Sequence, residues 1–183
     1  RPTSISVPVT LRPYFHSVTT KNFFVMVTAP FPPRQENQPF EEVLSEVRDS
    51  LREQINKKRL EEIFSYNVTG EQIMILRTIP LVFKKPGLKG IYNMHAKANT
   101  ATVTNLGKIE VAPEYQEYVE TFGVLLSRSK GQNVKMSLSS YNNMLTATIT
   151  STFRDTKLQR AFFRYLAAQE ISVTIESNGV YYE

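Results

Sequence analysis

The chain has no cysteine and no tryptophan. Without thiols there can be no disulfide scaffold, no thiolate metal site and no cysteine nucleophile. The same absence fits a reducing compartment, so the expected localisation is cytoplasmic. Histidine is scarce: His16 and His95 are the two in 183 residues. Neither lies in an H-x-x-x-H or H-E-x-x-H pattern, and a histidine-built metal centre is not expected. No carboxylate lies within ten residues of His95 to orient it, and His16 is no better placed, so neither is expected to act as a general base. Long apolar runs are missing too. Phe23 to Val27 is typical of the longest and falls far short of the ~20 residues that span a bilayer. No charged-then-apolar leader opens the chain, and no transmembrane segment is expected.

What is present describes one folded domain over residues 1–183. Apolar residues make up 41% of the chain, with eleven Phe and nine Tyr, which excludes the composition of a disordered chain. The net charge is +5, and the excess is local. No acidic residue occurs between Glu71 and Glu110, while Arg77, Lys84, Lys85, Lys89, Lys97 and Lys108 lie in that interval. The remainder is close to neutral. This localisation argues against a general nucleic-acid-binding surface, and no aromatic-basic stacking motif appears. The interval could instead face the phosphates of a nucleotide cofactor, an acidic lipid or another protein.

Period-two alternation predicts a strand over Ile5 to Thr10, with Pro8 marking an edge or rim. Phe23 to Thr28 reads as a strand buried on both faces. Pro30, Pro32, Pro33 and Pro39 mark a stiff loop. Phe40 to Asn56 is the clearest helix, with Phe40, Val43, Leu44, Val47, Leu51 and Ile55 on one face and charges matching its dipole. Helices follow over Lys58 to Asn67 and after Thr69-Gly70, the latter carrying Ile73, Leu76 and Ile79; Pro80 kinks it or starts another. Pro86, Gly87 and Gly90 leave Leu81 to Ala98 ambiguous. Strands are predicted over Thr100 to Asn105, Phe122 to Arg128, Val134 to Ser140, Met144 to Phe153 and Ile171 to Ile175. A short helical turn follows Pro113, Tyr141-Asn142-Asn143 is a hairpin turn, and Asp155 or Thr156 caps a helix through Gln169. The inward face of that helix is Leu158, Phe162, Tyr165 and Leu166. The expected architecture is an α/β (α+β) two-layer sandwich: a mixed, mostly antiparallel sheet of six or seven strands with helices on one face.

Several segments, in order, resemble the carboxyl-terminal half of the chloramphenicol-acetyltransferase-like acyltransferases. The closest flavour is the bacterial alcohol acetyltransferases; peptide-synthetase condensation domains belong to the same superfamily. Val7-Pro8-Val9-Thr10-Leu11-Arg12 resembles the family's V-P-V-x-x-R strand, and Thr19 to Phe23 its G-N-F segment. Leu76 to Leu81 resembles the R-x-I-P-L turn. Thr104-Asn105-Leu106-Gly107 with Val111 and Pro113 resembles S-N-L-G followed by proline. The family's catalytic His-His-x-x-x-Asp signature has no match here. The chain starts at Arg1, and the resemblance implies a carboxyl-terminal half separated from an amino-terminal half-domain that carries the base.

The resemblance further implies an acyl transfer from coenzyme A, or a carrier thioester, to an alcohol or amine. No cofactor would be bound permanently, acyl-coenzyme A being a co-substrate. Thr104, Asn105, Gly107 and Asn22 would border the substrate channel. A hydroxyl or amide at Thr104 or Asn105 could donate to the oxyanion, although Asn105 could equally bond its own backbone in a turn. Arg12 would pair with the aspartate of the missing signature, a contact suited to a guanidinium. Lys84, Lys85 and Lys89 are candidates for docking coenzyme A phosphates. This chain alone is expected to be inactive. A non-catalytic assembly domain of the same fold is the alternative, with a strand edge available for a partner half.

Overall fold

The computed structural model describes residues 3–31, 38–72, 80–127, 129 and 131–178. Among them a five-stranded mixed sheet carries the fold. Its strands are β1 (Thr3–Thr10), β2 (Phe24–Phe31), β3 (Ala101–Lys108), β4 (Val134–Tyr141) and β5 (Met144–Ser151), ordered β2-β1-β3-β4-β5. The outer pairs are antiparallel and the inner two parallel, and the antiparallel ladders are the longer ones. The helices are α1 (Phe40–Gln54), α2 (Lys57–Gln72), α3 (Leu81–Ala98) and α4 (Lys157–Ala168). A 3-10 turn spans Pro113–Tyr118.

Cross-strand register fixes what each face carries, because alternate residues of a strand point to opposite sides. One face holds Ile5, Val7 and Val9 of β1, Val25, Val27 and Ala29 of β2, Val103 of β3, and Met136, Leu138 and Ile149 of the β4–β5 hairpin. The other holds hydroxyls: Ser4, Ser6, Thr28, Thr102, Thr104, Ser137, Ser139, Thr148 and Thr150. At the β1–β2 end α1 and α2 pack on the sheet. Leu11, Val25, Val27 and Leu60 form the core there, and Phe15, Phe23 and Phe64 pack against it. Asn56 links the two helices by accepting the Arg59 N–H at 2.9 Å. Leucine-sized side chains fully buried at this point contribute roughly 1.5–3 kcal/mol each.

The structure departs from expectation in several places. The sheet has five strands and not six or seven among the described residues. Residues 122–127 and 171–178 are outside the ladders. Instead, 122–127 lies as a strap on the hydroxyl face: Ser137 and Ser139 donate to the carbonyls of Val124 and Phe122, and Thr150 to that of Leu126 at 3.0 Å. Lys135 Nζ reaches the Ser127 carbonyl at 2.7 Å. Alternating side chains do not make a strand when side-chain hydroxyls take the carbonyls that a neighbour's amides would.

β2 is buried on one face only, as its strict alternation shows; it is an edge strand. β1 is an inner strand, yet Pro8 sits where its missing N–H costs nothing. The Leu11 N–H bond to the Phe23 carbonyl sets an alternation that turns the Pro8 nitrogen away from β2. On that other side the ladder to β3 covers only Ile5 and Ser6.

The helix predicted to end at Asn67 continues through Gly70 to Gln72. Ile73, Leu76 and Ile79 lie outside the described residues. Pro80 is the N-cap of α3, and α3 runs unbroken for 18 residues with Pro86 inside it. The hairpin turn is as expected: Asn142 and Asn143 have φ of 51° and 63°, the left-handed pair that a two-residue turn demands. On α4, Phe162 and Leu166 are half-buried, whereas Leu158 and Tyr165 are exposed. Tyr165 lies against Phe40 of α1, with ring centroids 5.2 Å apart.

Candidate functional site

The parallel run of β1 and β3 puts their carboxyl ends together. Arg12 follows β1 by two residues, Asn22 precedes the antiparallel β2 by two, and Asn105 and Gly107 lie in the last turn of β3. All four therefore stand at one end of the sheet, with Thr104 just inside it. The carboxyl end of parallel strands is where open α/β sheets place their ligands.

Each residue is held by local bonds. The Arg12 guanidinium donates through Nη2 to the carbonyls of Lys21 at 3.0 Å and Thr19 at 3.2 Å. It clasps the 13–22 loop shut across the base of β2. A guanidinium has five donors, and the others meet no acceptor among the described residues. Asn105 Oδ1 accepts the Gly107 N–H at 2.9 Å. This is the local turn bond, and it turns the amide nitrogen, a donor, the other way. Gly107 has φ of 73°, which a side chain would strain. The cause is a register shift: β3 advances from Asn105 to Lys108 while β4 advances from Leu138 to Ser140, so β3 carries one extra residue. Ser140 Oγ holds the Gly107 carbonyl at 3.4 Å. Thr104 is half-buried on the hydroxyl face beside Ser137. Asn22 is exposed, and its side chain makes no hydrogen bond among the described residues.

Lys84, Lys85 and Lys89 belong to α3, a separate element, and no hydrogen bond or ion pair joins them to this end of the sheet among the described residues. Lys85 and Lys89 are exposed and Lys84 is half-buried. Arg77 lies outside the described residues. His16 is exposed, and His95 lies within α3. Among the described residues no cluster of His, Asp or Glu is placed to hold a metal ion, and no helix is long and apolar enough to cross a membrane.

One feature escaped sequence reasoning, and part of the expected apolar face of α1 stands open. Ser137 and Ser139, which fasten the strap, are buried to within 2%; the alternating serines of Lys135-Met136-Ser137-Leu138-Ser139 were their one trace. An apolar groove of about 450 Å3 runs along α1, lined by Leu44, Val47, Leu51 and Ile55 with Arg48 and Arg52 at its rim. It contains none of the predicted site residues. No protein-family model matches the chain, and no match to it was found among curated proteins or solved structures.

Proposed function

We propose that the chain is the carboxyl-terminal half of an acyltransferase that moves an acyl group from a coenzyme A thioester to an alcohol or amine. The observation that carries this reading is convergence. Three segments far apart in the sequence, around Arg12, Asn22 and Asn105-Gly107, lie at the same end of the sheet. In the reaction, a histidine from the partner half takes the acceptor's proton, the acceptor oxygen or nitrogen attacks the thioester carbonyl, and the C–S bond breaks as the histidine passes that proton to the leaving sulfur, releasing the thiol. This half contributes donors: the outward amide of Asn105 and the unused guanidinium edge of Arg12. A fixed donor near a developing oxyanion contributes about 3–4 kcal/mol to the rate, and a charged carboxylate contact orients the base-bearing loop.

The test is co-expression with a half-domain bearing His-His-x-x-x-Asp from the same gene, followed by thiol release from acyl-coenzyme A with an alcohol acceptor. A stable complex with turnover is expected, and no turnover from this chain alone. Asn105→Ala should lower kcat about 100-fold with little change in complex stability. A complex that forms without turnover overturns the reading and leaves an assembly domain, which the local use of Arg12 and Asn105 would then explain. Turnover by this chain alone also overturns it.

A further inference from the structure

We propose that the first half of α3 is a peripheral anchor for an anionic lipid surface. Val82, Phe83 and Leu88 are 72%, 75% and 55% exposed. A Cβ built on Gly87 or Gly90 would meet nothing within 4 Å, so this stretch of helix stands clear of the described structure.

The charge says what would cover these side chains. α3 has no acidic residue anywhere in its length. Lys84, Lys85 and Lys89 have neither an ion pair nor a hydrogen bond among the described residues. At about 100° per residue, Val82 and Phe83 fall on one arc with Pro86 and Gly90 between them; Lys89 and then Lys85 border that arc beside Val82, Lys84 lies beyond Phe83 on its other side, and Leu88 falls among the lysines on the far side of the helix. A cationic arc beside an exposed aromatic and aliphatic one suits a headgroup–acyl boundary. There the lysines meet anionic headgroups and Phe83 and Val82 enter the apolar layer. A nucleic acid would use the lysines and could stack on Phe83, but gains nothing from exposed Val82, which an acyl layer would cover. The inference does not depend on the acyl-transfer reading.

The test is sedimentation of the full chain with vesicles of phosphatidylcholine alone and with vesicles also containing phosphatidylserine. Binding to the second and much weaker binding to the first is expected, falling as salt rises. Each basic residue at such a surface is worth about 1 kcal/mol, or about fivefold. The triple change Lys84→Gln, Lys85→Gln, Lys89→Gln should therefore cut partitioning about 100-fold. Phe83→Ser should cut it about tenfold or more and leave the salt dependence in place. Unchanged circular dichroism verifies that the variants fold; if one does not, Val82→Ser and the salt titration of the unaltered chain carry the same test. No sedimentation with phosphatidylserine vesicles, equal binding to both vesicles, or full binding by Phe83→Ser overturns the proposal. Binding to duplex DNA with none to vesicles overturns it as well.

Discussion

Strands β1 and β2 lie under α1 and α2, and the apolar side chains lost from solvent there include Leu11, Val25, Val27 and Leu60, with Ser4 and Ser6 buried on the opposite face of β1. Strands β4 and β5 lie under the 122–127 strap, and the side chains lost there are Ser137 and Ser139. One end of the sheet is held by apolar area. The other is held by hydroxyl-to-carbonyl bonds, while Leu145 on its apolar face is 68% exposed. Burial of apolar area is non-directional and tolerates small shifts. A hydroxyl bond is directional and contributes a net ~1 kcal/mol. The β1–β2 end should therefore be the more stable of the two, and the β4–β5 end the more sensitive to single polar substitutions.

The contrast breaks most sharply at Leu60. Leu60→Ala should destabilise the chain by about 2–5 kcal/mol, whereas Leu145→Ala should cost no more than about 0.5 kcal/mol; denaturant midpoints for the two variants compare them directly. Ser137→Ala should cost about 1–2 kcal/mol, because the Val124 carbonyl loses its donor. It should also speed proteolysis within 122–127, and equal protease resistance would show that the strap is held otherwise.

Between the two ends, Thr102 is 8% exposed and its Oγ1 has no hydrogen-bond partner among the described residues. A buried hydroxyl without a partner costs about 1–3 kcal/mol. Thr102→Val should raise the denaturant midpoint, by about 1 kcal/mol in stability, and a loss of stability would place an acceptor or an ordered water at that hydroxyl.

The smallest effect lies at the start of α4. The Lys157 side chain, and then its backbone N–H, hold the Asp155 carboxyl below its ordinary range. A carboxyl whose folded-state value is lowered stabilises the fold when ionised, and that contribution fades as pH falls through the carboxylate range. Asp155→Asn should lower stability slightly at neutral pH, where the carboxylate is ionised, and leave the acid end unchanged, so that the acid side of the pH–stability profile flattens. The group is fully exposed, so its N-terminal turn and not the whole fold reads the change.

Strong local periodicity made α1, the β4–β5 hairpin and the caps around Asp155 legible from sequence. Asn142-Asn143 is legible because two consecutive left-handed residues have few other chemical solutions. α3 was obscured because Pro86, Gly87 and Gly90 each lower helix propensity, while their context retains the helix. The strap was misread for a different reason. Phe122 to Ser127 alternates like a strand, but pairing depends on a neighbour that no local pattern encodes. At the candidate site, the resemblance drew Arg12, Asn22 and Asn105 to attention. Their shared end of the sheet depends on β1 and β3 running parallel, a fact set by residues nearly a hundred positions apart.

That parallel seam governs the order of assembly. β4 and β5 need only close a two-residue turn, an event of about 1–10 μs, and β1 and β2 are joined by the loop of residues 11–23, still far shorter than the span between β1 and β3. The seam between β1 and β3 has two ladder rungs, Ile5 with Ala101 and Ser6 with Thr102, lengthened by the two bonds between Ser4 and Thr100. It must close the longest loop in the sheet for its few bonds, so the entropy of closure falls there. Folding kinetics should show two early hairpins and a late zipping of the middle, and amide exchange in the native protein should begin where the zipper has fewest teeth.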